Sequence, residues 1–206
     1  GEHLRVAMVV LADLHAAMPA GVQEHVHLLL LVARQDHRFG AHAGGADSAG
    51  YLNSARLLSA GAATSQPRAV PGLSFEARNA QEPLGFMVLD SGRLAPTYPV
   101  GLSVMIAGAA AVIGWDAAAD AVMVLHALAG VLLSFWLWRE SGFSARGSAI
   151  ASLVLASTPL YLFMALTLMS DIPSLVWVTV GVLLAWRTRQ EARWALAAGA
   201  AVGVAV

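Results

Sequence analysis

The sequence predicts an all-α fold, a polytopic transmembrane helix bundle with an external loop that carries juxtamembrane helices. Three observations predict it. The 206 residues are 58% hydrophobic and only 12% charged, whereas a soluble globular domain carries about 25% charged residues. Four long apolar runs follow one another after residue 99. Arginines gather in two of the linkers around those runs, as they do on the cytoplasmic side of membrane proteins.

Composition also narrows the function. Mean hydropathy is +0.66, which places the chain among membrane proteins. Net charge is −1, so no basic field points to nucleic acid and no nucleic-acid partner is expected. There is no cysteine. A disulfide framework, a thiolate metal site and a thiol nucleophile are all excluded.

Residues 1–43 are poorly defined. Apolar stretches there are short and interrupted by Asp13, His15, Glu24, His25 and His27. A membrane helix placed there would be a poor one. His25 and His27 point opposite ways on a helix, and with His37 and His42 they match no familiar metal site.

Residues 44–120 read as the external loop. ADSAGYLNSARLLSAG has the punctuation of a helix. Asp47 suits the N-cap, and Gly61 suits the position after the last turn. Tyr51 lies four residues on and shares a face with Asp47. Residues 62–97 look like a solvated loop, broken by Pro67, Pro71, Pro83, Gly85, Gly92 and Pro96. Arg56, Arg68, Arg78 and Arg93 are either solvated surface charges or partners for a phosphate. The run Val100–Trp115 is shorter than the ~20 residues a span needs. It either spans or lies in the outer interface, and its lack of flanking Arg favours the interface. The Arg-free stretch Asp116–Asp120 reads as an external linker.

Residues 121–206 carry the membrane helices. The runs 121–138 and 147–170 are long enough to cross, and 172–186 is marginal. Pro159 should kink the second of these. His126 should hydrogen-bond within the bundle. Trp115, Trp136, Trp138, Trp186 and Trp194 sit at run ends, where their rings favour the headgroup region. Arg139 and Arg146, then Arg187, Arg189 and Arg193, place both of their linkers inside. Residues Met169–Pro173 are then outside. The last run, Trp194–Val206, is too short to cross, so the sequence reads as the N-terminal part of a longer protein.

Two carboxylates stand out. Asp47 is either a helix cap or a reactive group. Asp171, in MSDIPSL, has the same two readings. Fifteen residues separate it from Arg187, about 22 Å of helix. That depth puts it at or just below the outer membrane surface, where an ionisable group is costly and suggests a site. One carboxylate can take a proton from an attacking acceptor, and the other can hold a divalent cation.

Taken in order, ADSAGYLNSARLL, TYPVG, RESGFSAR and MSDIPSL resemble the N-terminal part of a membrane glycosyltransferase of the GT-C superfamily. The similarity is to the protein mannosyltransferase and aminoarabinose transferase group (glycosyltransferase family 39-like), over residues 44–190. The resemblance implies transfer of a sugar from a polyprenyl-phosphate carrier, a lipid-linked donor, to an unknown acceptor. It implies Asp47 as catalytic base and Asp171 as a second catalytic acid that also holds the metal. The cofactor implied is Mg2+ or Mn2+. Tyr51, Arg56 and Tyr98 would bind substrate. The implied location is a bacterial inner membrane, with the site on the periplasmic or external face. Relatives often carry a second acid directly after the loop Asp, where this chain has Ser48. The rival expectations are a polytopic transporter and a non-catalytic membrane scaffold.

Overall fold

The computed structural model describes residues 46–67, 84–189 and 191–205. Within them it is mostly helical, as expected, with one short hairpin. The histidines at 25, 27, 37 and 42, and Arg68 and Arg78, lie outside the described residues.

α1 spans Ala46–Ser59. Its end is closed by two backbone bonds, Ala62 N–H to Leu57 O (3.1 Å) and Gly61 N–H to Leu58 O (2.9 Å). Gly61 takes φ +70°, the left-handed geometry that this stop requires. The hairpin pairs β1 (Phe86–Val88) with β2 (Leu94–Pro96), antiparallel. A continuous loop was expected there. The strands form because Asp90-Ser91-Gly92 supplies a tight turn, with Gly92 at φ +74°. Arg93 clamps the hairpin to the chain after α1 through Thr64 (2.6 Å to Oγ1, 3.1 Å to the carbonyl oxygen). The fold is therefore not purely α.

α2 (Val100–Ile113) is an apolar helix of 14 residues, about 21 Å long. Gly114 turns the chain at φ +86° straight into α3 (Trp115–Glu140). The expected linker Asp116–Asp120 is therefore helical. Its three alanines favour helix, and Asp116 sits in the first turn, where the free N–H groups attract negative charge. α3 has 26 residues, enough length and apolarity to cross a membrane. His126 Nδ1 lies 2.7 Å from the Val122 carbonyl oxygen of the same helix.

The run 147–170 is broken. α4 (Ala145–Ser157) and α5 (Pro159–Leu166) meet at a 61° bend, and together they are long and apolar enough for one broken span or a re-entrant loop. Pro159 has no N–H to continue α4. It drives Thr158 into an extended conformation, from which the Thr158 side chain caps α5 at Tyr161 N–H (3.4 Å). α6 (Asp171–Arg187) and α7 (Trp194–Ala205) complete the described chain.

Small residues set the helix contacts. At Gly130 of α3 the Tyr161 ring of α5 comes so close that its hydroxyl occupies the space of a Cβ. That hydroxyl donates to the Ala127 carbonyl at 2.6 Å. Ser134 of α3 donates to Ser152 of α4 at 2.9 Å. Gly181 of α6 makes room for Val202 of α7. Such close approach is how helices bind one another where apolar burial offers little drive. The outer surface is apolar instead: Ile150, Val154, Leu160, Phe163 and Leu196 are exposed.

The bundle has two distinct ends. The starts of α3 and α6 share a buried cluster with α1 and α2, through Tyr51, Ile106, Ala118, Val122 and Ile172. Their other ends, together with the turn into α4 and the start of α7, carry Arg139, Arg146, Arg187, Arg189 and Arg193.

Gly130→Ala should destabilise the protein by about 1–3 kcal/mol, because Tyr161 must leave its rotamer or its hydrogen bond. Gly108→Ala, which meets nothing within 4 Å, should gain up to about 1 kcal/mol from helix propensity. Thermal unfolding in one detergent would compare the two. Equal effects would show that the α3–α5 contact carries no stability.

Candidate functional site

The site is built where α1 meets the segment that enters α6. Ser48 is buried, and its hydroxyl donates to the Leu168 carbonyl at 3.1 Å. Tyr51 is 4% exposed, and its hydroxyl donates to Ser170 Oγ at 2.8 Å. From α2, Ser103 donates to the Tyr51 carbonyl at 3.1 Å. These bonds bring Asp47, one residue before Ser48, to the same end of the bundle as Asp171, one residue after Ser170. Both carboxylates lie in first helical turns. Asp47 lies within the helix rather than at its cap. Ser170 occupies the N-cap of α6 but makes no side-chain cap bond; its oxygen serves Tyr51 instead.

Tyr98 was expected to bind substrate. Its hydroxyl donates to Asp47 Oδ1 in a very short hydrogen bond. The ring stacks on Tyr51, with centroids 5.0 Å apart and planes inclined by 29°. It also lies against the bare Cα atoms of Gly50 and Gly85. A Cβ on either glycine would collide with the ring and with the other glycine. Gly85 adopts φ +80° besides. These glycines carry no chemistry of their own, and the sequence marks them only as turn or helix residues. They are what lets Tyr98 reach the carboxylate.

The other candidates are placed as follows. Asp47 is half-buried and Asp171 is exposed. The second Asp47 oxygen has no hydrogen-bond partner among the described residues. Arg56 is exposed at the far end of α1, with its guanidinium 5.8 Å from the centroid of the Trp115 ring. Arg93 is spent on Thr64. Among the described residues no three His, Asp or Glu side chains converge on one point. Asp171 supplies one exposed carboxylate. Mg2+ is commonly held by one or two carboxylates with substrate phosphate and water, so this carboxylate fits a cation that arrives with a phosphate and does not form a cage.

Electrostatics strengthen the Tyr98–Asp47 pair. The hydrogen bond to Asp47 raises the Tyr98 pKa above its usual value, helped by burial and by the carboxylate's charge. Tyr98 therefore stays a donor through the neutral range.

The raised value gives the bond a pH signature. The folded protein holds the Tyr98 proton more tightly than the unfolded chain does. The stabilisation is complete below the unfolded value of about 10, and it is lost as pH rises through the higher folded value. Melting curves of the protein and Tyr98→Phe should differ at neutral pH and converge in strong alkali. A gap that stays constant would mean that the bond contributes nothing.

No family model matches the chain, and no curated protein or solved structure matches it. The chemistry of the site rests on these residues alone.

Proposed function

We propose that the protein is an integral membrane glycosyltransferase that moves a sugar from a polyprenyl-phosphate carrier to a protein, lipid or glycan acceptor. The observation that carries this reading is the seam between α1 and the entry to α6, which puts Asp47 and Asp171 at one end of the bundle. The five arginines gather at the other end. If that end is cytoplasmic, the two acids face the external compartment. There a lipid-linked sugar is available and a nucleotide sugar is not needed. The apolar outer surface and the length of α3 support the membrane setting, and α4–α5 and α6 would be further spans of a polytopic bundle.

In this mechanism the Asp47 oxygen that Tyr98 does not engage takes the proton of the acceptor hydroxyl or amine as it attacks the anomeric carbon. A new bond forms there while the bond from that carbon to the phosphate oxygen breaks. The carrier phosphate leaves with the electron pair. Tyr98 holds the other Asp47 oxygen, so the carboxylate presents one fixed face. Positioned proton transfer of this kind contributes about 10²- to 10⁴-fold. Asp171 would hold a divalent cation against the carrier phosphate. When bound, the cation would neutralise the charge that builds on the leaving group. Tyr51 and Tyr98 act here by placing α1 and Asp47, not by touching the sugar.

Two measurements test this. The chain lacks cysteine, so single replacements report topology without background. Asn53→Cys and Ser141→Cys are exposed positions at opposite ends. In intact cells an impermeant thiol reagent should label the first and reach the second only after lysis. The reverse pattern would place the acids inside and exclude a flipped lipid donor. Second, Asp47→Asn should lower sugar transfer from a polyprenyl-phosphate sugar by about 10²-fold or more, with the helical circular dichroism retained. Full activity in that variant would remove Asp47 as the base, and no transfer by the unaltered protein would leave a transporter or a scaffold as the better description.

A further inference from the structure

The arginine-rich end holds a second feature that the sugar-transfer reading does not use. Where α3 and α6 end side by side, a cleft of about 280 Å³ opens between them. Its walls are apolar: Leu133 from α3, and Val180, Leu183 and Leu184 from α6. Trp136 and Trp194 flank the opening. At its mouth stand one carboxylate and one guanidinium, Glu140 and Arg187, both exposed. They make no ion pair with each other. Nearby, Arg193 is paired with Glu191. Neighbouring arginines are engaged elsewhere: Arg139 donates to the Phe143 carbonyl at 2.8 Å, and Arg189 lies over Trp186.

An apolar slot, a pair of indoles and two separated opposite charges match the parts of one kind of molecule. We propose that this cleft binds a zwitterionic amino-phospholipid of the cytoplasmic leaflet, with phosphatidylethanolamine as the type. The acyl chain lies along Leu133, Val180, Leu183 and Leu184. The tryptophans sit at the glycerol level, where amphipathic rings prefer to be. Arg187 meets the phosphate through its fork of N–H donors. Glu140 accepts from the ammonium group. A lipid with a purely anionic headgroup would satisfy Arg187 but would set its charge against Glu140. The bound lipid would brace α3 against α6 at the end away from Asp47. The proposal rests on the membrane reading above, with this end in the cytoplasm, but it does not depend on sugar transfer.

The test uses the whole protein, purified in mild detergent and examined by native mass spectrometry. Phosphatidylethanolamine and phosphatidylglycerol with matched chains are titrated in separately. Phosphatidylethanolamine should be retained at several-fold lower concentration. Glu140→Gln should abolish that preference, and Arg187→Gln should weaken retention of both lipids several-fold. Equal binding of the two lipids, unchanged by either substitution, overturns the proposal and leaves the cleft to bulk acyl chains or to another protein segment. Fractionation of cells separates the two failures. A protein absent from the membrane fraction defeats the membrane reading itself. A membrane-bound protein without lipid preference defeats only this site.

Discussion

Two side chains near the start of α1 reach across about 120 residues of sequence to one short stretch between α5 and α6. Ser48 takes the carbonyl of Leu168, and Tyr51 takes the hydroxyl of Ser170. Each bond contributes only about 1 kcal/mol net. Their effect on geometry is larger. They set α1 against the bundle at one end, and they decide which end receives Asp47. They also place the entry to α6, so the position of Asp171 depends on the same seam. Ser103, fully buried on α2, adds a third tie from the other side. Without these contacts α1 would be a short helix with a weak apolar face, too short to be stable alone.

The seam works because little bulk stands in it. Gly50 and Gly85 approach without a Cβ between them, and Tyr98 lies over both. Deeper in the bundle, Gly130 does the same for Tyr161, and Gly181 for Val202. The chain thus repeats one device: a glycine on one element admits a larger side chain from the next. In a bilayer, where apolar burial between helices gains little over lipid contact, close approach and interhelical hydrogen bonds hold such contacts.

Much of the helical content was legible in the sequence, because apolar runs and punctuation act locally. The stop at Gly61 and the kink at Pro159 follow from single residues with restricted or permissive backbones. The reading failed where local signals were weak or pointed two ways. Asp116–Asp120 looked like a linker because it carries two acids, yet its alanines and the helix dipole favour continuation. The hairpin was hidden because three-residue strands leave almost no periodic pattern. Asp47 and Asp171 could be singled out from position and depth. Arginine placement led to the expectation that both face one side, but the contacts that join α1 to the entry of α6 could not be seen, since Ser48 and Ser170 look like ordinary small polar residues. Tyr98 drew attention as part of TYPVG, but its role beside Asp47 comes from Gly50 and Gly85, residues 48 and 13 positions earlier in the chain.

The proton inventory at the seam limits what Asp47 can do. One of its oxygens accepts from a phenol that holds its own proton strongly. A carboxylate so held cannot swing freely between partners, so its remaining oxygen has a restricted direction of approach. That favours a base that meets one incoming hydroxyl or amine, and disfavours a free cation ligand. Asp171 is exposed, in the first turn of α6, with no comparable restraint. In the proposed reaction the two acids would therefore divide by environment: the restrained one would take the proton, and the exposed one would hold a cation that arrives with a phosphate.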